Sequence, residues 1–171
     1  MKNKAINNIE YTGIVTLSQY IGSKKVTLAQ YHNSGSYSLF NFLADCLIGD
    51  FEVAKLHRPT KIMLLSQGET TKEYSSLSGF IYQISKPEKV YATAKGTVKY
   101  SFIIPKDLIM TIQAETISHI GLYADSARDL DISDFSAIVP VSFNNDKISA
   151  SSAVLVDWEL NISNRNAEVE N

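Results

Sequence analysis

Three histidines, one cysteine and a cluster of aspartates are the side chains of this sequence whose types could ligate a metal or attack a substrate. His32, His57 and His119 lie far apart and form no His-x-x-x-His or Glu-adjacent pattern. Zinc therefore has no local ligand set, and surface or singly hydrogen-bonded imidazoles are expected. Asp125, Asp129, Asp131 and Asp134 are the densest acidic group. A calcium loop starting at Asp129 needs Gly at its sixth position and Glu at its twelfth, and these are Asp134 and Pro140. Arg128 offsets part of the charge, so the expectation is a solvated loop with capping aspartates. Cys46 is the single cysteine, which rules out an internal disulfide framework and a multi-cysteine zinc site. It falls in an apolar stripe, where a buried structural thiol is expected. No nucleophile elbow, phosphate-cradling loop or dinucleotide fingerprint is present. The carboxylate pair of a glycosidase comes from separate strands and leaves no local signature. Glu10, Asp157 and Glu159 fall on wet strand faces by alternation, where solubility accounts for them. No catalytic, cofactor-binding or metal-binding residue is assigned, and no enzyme activity is expected.

Aromatic side chains are the remaining functional candidates. Tyr31, Tyr37, Tyr74, Tyr82 and Tyr91 could make a sugar-stacking or protein-contact surface, although aromatics at strand positions usually pack in a core or across strands.

The elements that would position these groups are mostly strands. In the segment 153–163, Val154, Val156, Trp158, Leu160 and Ile162 alternate with Asp157, Glu159 and Asn161, and only Leu155 breaks the rhythm. Side chains two apart share a face, so this is a strand with a dry and a wet side. Trp158, Val156 and Leu160 are assigned to the core. Tyr11, Gly13, Val15 and Leu17 follow the same pattern, and a Gly-containing connection over 20–24 joins them to the run 26–31 as a hairpin. Further strands are expected at 61–65, 79–84, 89–94, 97–104, 117–123 and 137–143, about eight to nine in all. One segment departs from period two. Leu39, Phe40, Phe42, Leu43, Cys46 and Leu47 recur at helical spacing, with Ser36 or Ser38 as N-cap and Gly49 as a stop. This predicts one short helix near 38–48, with Phe42 and Leu43 turned to the core. Residues 107–114 read equally as strand or helical turn. The fold class is thus all-β: a single antiparallel β-sandwich domain over 1–171, with polar tails at 1–8 and 164–171 expected to be flexible.

Bulk properties narrow the partners. The chain has 171 residues, enough to bury a core, and 16 basic against 18 acidic residues for a formal charge of −2. No basic block exceeds Lys24-Lys25, so a nucleic-acid partner is not expected. The longest apolar runs, 62–65 and 153–156, are far below the roughly 20 residues of a membrane helix, and the polar start 1–8 has no signal-peptide core.

Several stretches carry a family resemblance when taken together. They are Thr16-Leu17-Ser18-Gln19-Tyr20, Tyr31-His32-Asn33-Ser34-Gly35, the helical segment 39–47, and Arg58-Pro59 ahead of 62–65. Further along come Ile120-Gly121-Leu122-Tyr123, Val139-Pro140-Val141-Ser142 and the closing 158–164. The arrangement resembles jelly-roll virion proteins of tailed bacteriophages, among them head-fibre, capsid-decoration and tail-associated proteins of phages of gut Bacteroidales (crAss-like phages). The resemblance implies a virion location, no cofactor, and symmetric assembly with itself, a trimer slightly ahead of a dimer, and with other virion proteins such as the capsid. Two other classes share the fold: a carbohydrate- or receptor-binding module, and a glycosidase or lyase on a sandwich scaffold.

Overall fold

A computed structural model describes residues 9–34, 43–44, 46–49, 52, 58–66, 79–84, 87–94, 96–114, 117–124, 135–143 and 147–164. Nine strands fall within them: β1 (Ile9–Ile21), β2 (Lys24–Ser34), β3 (Pro59–Ser66), β4 (Gly79–Ile84), β5 (Lys89–Ala94), β6 (Thr97–Ile104), β7 (Ile117–Ala124), β8 (Phe135–Pro140) and β9 (Val154–Asn164). They form two antiparallel sheets, one ordered β2-β1-β9-β6-β5 and the other β4-β3-β7-β8. Hairpins are laid into the sheets in turn: β1-β2 in the first, β3-β4 in the second, then β5-β6 and β7-β8, before β9 returns between β1 and β6.

Alternation builds the core. Val15 and Leu17 of β1, Phe102 of β6, and Val154, Val156, Trp158 and Leu160 of β9 are all buried. They meet Ile62 and Leu64 of β3, Ile120 and Leu122 of β7, and Val139 of β8 in one cluster, which makes the two sheets a sandwich. The expected core residues Trp158, Val156 and Leu160 are therefore in place. Met63 and Leu65 are buried as well, so β3 is covered on both faces and its apolar run is continuous rather than alternating.

The ambiguous segment resolves as a helix, α1 (Lys106–Ala114). Pro105 precedes it at no cost in hydrogen bonds, since the first turn has no intrahelical acceptors, and Asp107 complements the positive end of the helix. Ile109 and Ile112 are fully buried against the core. The Gln113 side-chain amide donates to the Ile148 carbonyl at 3.1 Å, tying the helix to the segment before β9.

Of the helix expected near 38–48, residues 43–44 and 46–48 are helical, and Gly49 ends it at a φ of 82° with its N–H donating to the Cys46 carbonyl. Leu43 is half-buried against the core, whereas Leu47 is 86% exposed and does not belong to the apolar face assigned to it. Phe42 lies outside the described residues. Cys46 is half-buried rather than buried.

Several boundaries differ from expectation. β1 runs to Ile21 and β2 starts at Lys24, so the connection between them is 22–23 rather than 20–24. β2 and β3 are longer than the expected 26–31 and 61–65, and the ends of β8 and β9 also shift. β8 stops at Pro140, which has no N–H to give a ladder, although Val141 still donates to the Ser118 carbonyl at 2.9 Å. β9 runs through Asn164, taking in the first residue of the expected C-terminal tail, because Ile9 pairs with it. The remaining tail positions, 1–8 and 165–171, lie outside the described residues.

Candidate functional site: a polar groove across the outer sheet face

The outer face of the five-stranded sheet carries its side chains in rows set by the strand register. One row runs Gln30, Thr16, Asp157, Ser101 and Lys89 from β2 to β5. The next runs His32, Ile14, Glu159, Lys99 and Tyr91, and a third runs Thr27, Ser18, Leu155 and Ile103. A β-bulge makes this surface. The β1-β2 register shifts after Leu17, so Ser18 pairs with Thr27 where Leu17 pairs with Ala29. Thr27 and Gln30 are three apart and would lie on opposite faces of a regular strand; the extra residue puts both outward.

A groove with a volume of about 420 Å³ lies here, lined from β1, β2, β6 and β9. Asp157 is at its centre and is only 6% exposed. Its Oδ1 accepts a hydrogen bond from Ser101 Oγ at 2.6 Å, and its Oδ2 accepts from Lys25 Nζ at 2.8 Å and faces Lys99 Nζ at 3.1 Å. Burial alone would push the carboxyl up. The hydrogen bonds from Lys25, Ser101 and Lys99, together with the Lys99 charge, outweigh burial and hold it below the usual carboxylate range. Lys99 responds in the opposite sense: burial works against its charge, but Asp157, Tyr91 and Glu159 raise it above the ordinary lysine value. The expectation that Asp157 is a wet-face solubility residue is thus corrected. It is outward-facing, as alternation requires, but two lysines and a serine cover it.

Around this ion pair the groove is polar. Gln30 Nε2 donates to Thr16 Oγ1 at 3.3 Å. Ser18 is fully buried beneath the groove, and its Oγ has no hydrogen-bond partner among the described residues. Lys25 pairs with Tyr20 in the backbone register, so to reach Asp157 its side chain crosses the row that holds Ser18. The groove brings two carboxylates together, Asp157 and Glu159, but from one strand and side by side. Asp157, held ionised by its lysines, has no proton to give at neutral pH.

The other sequence candidates are scattered. His119 is half-buried in β7, with its Nδ1 2.8 Å from Ser118 Oγ and its pKa lowered by burial. His32 is exposed on β2, and His57 lies outside the described residues, as do the aspartates 125–134. Among the described residues no group of three His, Cys, Asp or Glu side chains could hold a metal. Of the five candidate tyrosines, the side chains of Tyr31 and Tyr91 are described. Tyr31 packs against the core, its hydroxyl accepting from the Ser142 N–H, while Tyr91 is exposed beside Lys89. Tyr37, Tyr74 and the side chain of Tyr82 lie outside the described residues. The Glu10 side chain also does.

No protein-family model matches the chain, and comparison with curated proteins and with solved structures finds no match. Among the described residues no helix is long and apolar enough to cross a membrane.

Proposed function

We propose that the protein is a non-enzymatic structural component of a tailed-phage virion. It assembles as a homo-oligomer, a trimer slightly favoured over a dimer, and docks on the capsid as a head fibre or auxiliary protein. The observation that supports this reading is one end of the sandwich. β1 and β6 both finish there, and α1 leaves from it. Tyr20, Ile21 and Ile103 are exposed at the strand ends and Met110 on the helix, with Ile21 at 65% and Met110 at 68%. Isolated exposed apolar residues are ordinary, but several large ones gathered at one end mark an interaction surface. Closed symmetric assembly would cover such an end, and the sandwich offers strand edges that oligomer contacts protect. The jelly-roll resemblance supplies the virion context.

The test combines assembly with context. Light scattering should give a mass two or three times the 19.0 kDa chain, falling toward one chain in an Ile21→Asp/Met110→Asp double variant. The flanking genes should encode capsid, portal or tail proteins. A monomer at high concentration that binds no virion component would overturn the proposal.

A further inference from the structure

We propose that the outer-face groove binds a neutral saccharide, independently of the assembly reading above. The chemistry of the lining selects this class. Two ammonium groups, Lys25 and Lys99, stand against two carboxylates, Asp157 and Glu159, so the groove has no net formal charge. An anion arriving there would be repelled by both carboxylates, Asp157 and Glu159, which offset the attraction of the lysines. A metal cation would be repelled by both lysines, which already occupy Oδ2 of Asp157. A sugar hydroxyl both donates and accepts, so adjacent hydroxyls can take hydrogen bonds from a lysine while giving them to a carboxylate. A neutral polyol is therefore the ligand that uses both kinds of charged group without leaving either unpaired.

The arrangement is also pre-organised. Asp157 is fixed by Ser101, Lys25 and Lys99, with three of its roughly four acceptor positions in use. Each lysine keeps donors beyond the one it gives to Asp157. Gln30 gives one amide N–H to Thr16, which leaves a second N–H and the carbonyl for a ligand. Ser18 Oγ is a buried hydroxyl under the floor with no hydrogen-bond partner among the described residues. Ile14 adds an apolar patch for a ring face. The groove crosses four strands, about 14 Å at the usual strand spacing. Its volume falls in the range of small-ligand sites.

Nuclear magnetic resonance titration of the intact chain tests this, with maltohexaose, cellohexaose, laminarihexaose and xylohexaose as polymer probes and glucose, galactose and mannose as free-sugar probes. At about 10 mM, even a millimolar site is nearly filled. Shifts confined to Thr16, Ser18, Gln30, Lys99, Asp157 and Glu159 are expected with at least one probe, and whether hexasaccharide or monosaccharide binds better separates a polymer site from a free-sugar site. Glu159→Gln, whose side chain is not part of the buried core, should weaken binding about tenfold by removing a charged acceptor, and Gln30→Ala about fivefold. The Ile21→Asp/Met110→Asp variant should bind unchanged, so failure of assembly and failure of saccharide binding are distinguishable. Absence of shifts with every sugar overturns the proposal. So does binding of inorganic phosphate or calcium at these residues instead, or saccharide binding that Glu159→Gln and Gln30→Ala leave intact.

Discussion

The two faces of β9 are held in place by different physics. On the inner face Trp158 is fully buried among apolar side chains and its indole N–H has no hydrogen-bond partner among the described residues. On the outer face its neighbour Asp157 is nearly as inaccessible, yet it is held by hydrogen bonds and ion pairs from Ser101, Lys25 and Lys99. The inner face is stabilised by area removed from water, the outer by a carboxylate surrounded by donors. Burial alone therefore does not say which force acts. The partner atoms do.

The largest expected effect sharpens this contrast. Trp158→Ala should cost about 3–5 kcal/mol in urea-induced unfolding, as large cavities in cores do. Trp158→Phe keeps most of the volume and removes the unpartnered N–H, so it should cost less than about 1.5 kcal/mol. Equal losses in the two variants would mean that the indole N–H matters more than the packing. Tyr11 shows the same preference on β1: its buried hydroxyl has no partner among the described residues, and burial, then the nearby Tyr100, pushes its pKa up.

Gln19 is the exception that tests the rule from the other side. It follows Leu17 on the inner face and is buried, but it is polar. Its amide donates to the carbonyls of Ser149 at 2.7 Å and Ser152 at 2.9 Å and accepts from the Ser149 N–H at 2.9 Å, pinning the turn that feeds β9. Gln19→Leu would restore the apolar alternation. It should still lower stability by about 2–3 kcal/mol, because three backbone groups lose their partner. A stabilising Gln19→Leu would show that the inner face is purely apolar in its energetics.

This difference also explains what could be read from the sequence. Period two revealed β9, the inner face of β1 and the hairpins, since it needs only residue type and spacing. The limits of β4, β5 and β6 follow the expected spans 79–84, 89–94 and 97–104. The groove was hidden for two reasons. The bulge after Leu17 shifts β2 by one residue, so no regular alternation places Thr27 and Gln30 together. The donors to Asp157 come from β2 and β6, more than fifty residues away in sequence, and only the strand order β2-β1-β9-β6 joins them. A polar residue flanked by core positions, as Asp157 is by Val156 and Trp158, reads as solvated until its cross-strand neighbours are known. α1 was ambiguous because Ile109 and Ile112 fit one helical face while the run 108–112 also suits a strand.

A smaller effect is expected at Asp157 itself. Asp157→Asn keeps the shape and loses the charge, and should cost about 1–2 kcal/mol at neutral pH, since both lysines retain access to water. Its carboxyl is depressed in the folded state, so its contribution is full above the unfolded value of about 4 and disappears as pH falls through the lower folded value. Acid unfolding below about pH 4 should therefore be shallower in Asp157→Asn than in the parent protein. Trp158→Phe should leave the acid limb unchanged, which separates the two faces in a single titration.

The smallest effect belongs to Lys25, and its smallness is informative. Lys25 and Lys99 approach the same oxygen of Asp157, at 2.8 and 3.1 Å, so each can be replaced in part by the other. The Lys25 side chain is 39% exposed against 23% for Lys99, and water screens the more exposed charge more effectively. Lys25→Met should therefore change stability by less than about 0.5 kcal/mol, while Lys99→Met, whose charge is less screened, costs more. In the double variant the carboxylate would keep only Ser101 as a donor among the described residues, so the loss should exceed the sum of the two single losses. That excess measures how far the two lysines substitute for one another. Additive losses would show instead that Asp157 depends on each lysine separately, and the outer face would then be a set of independent pairs.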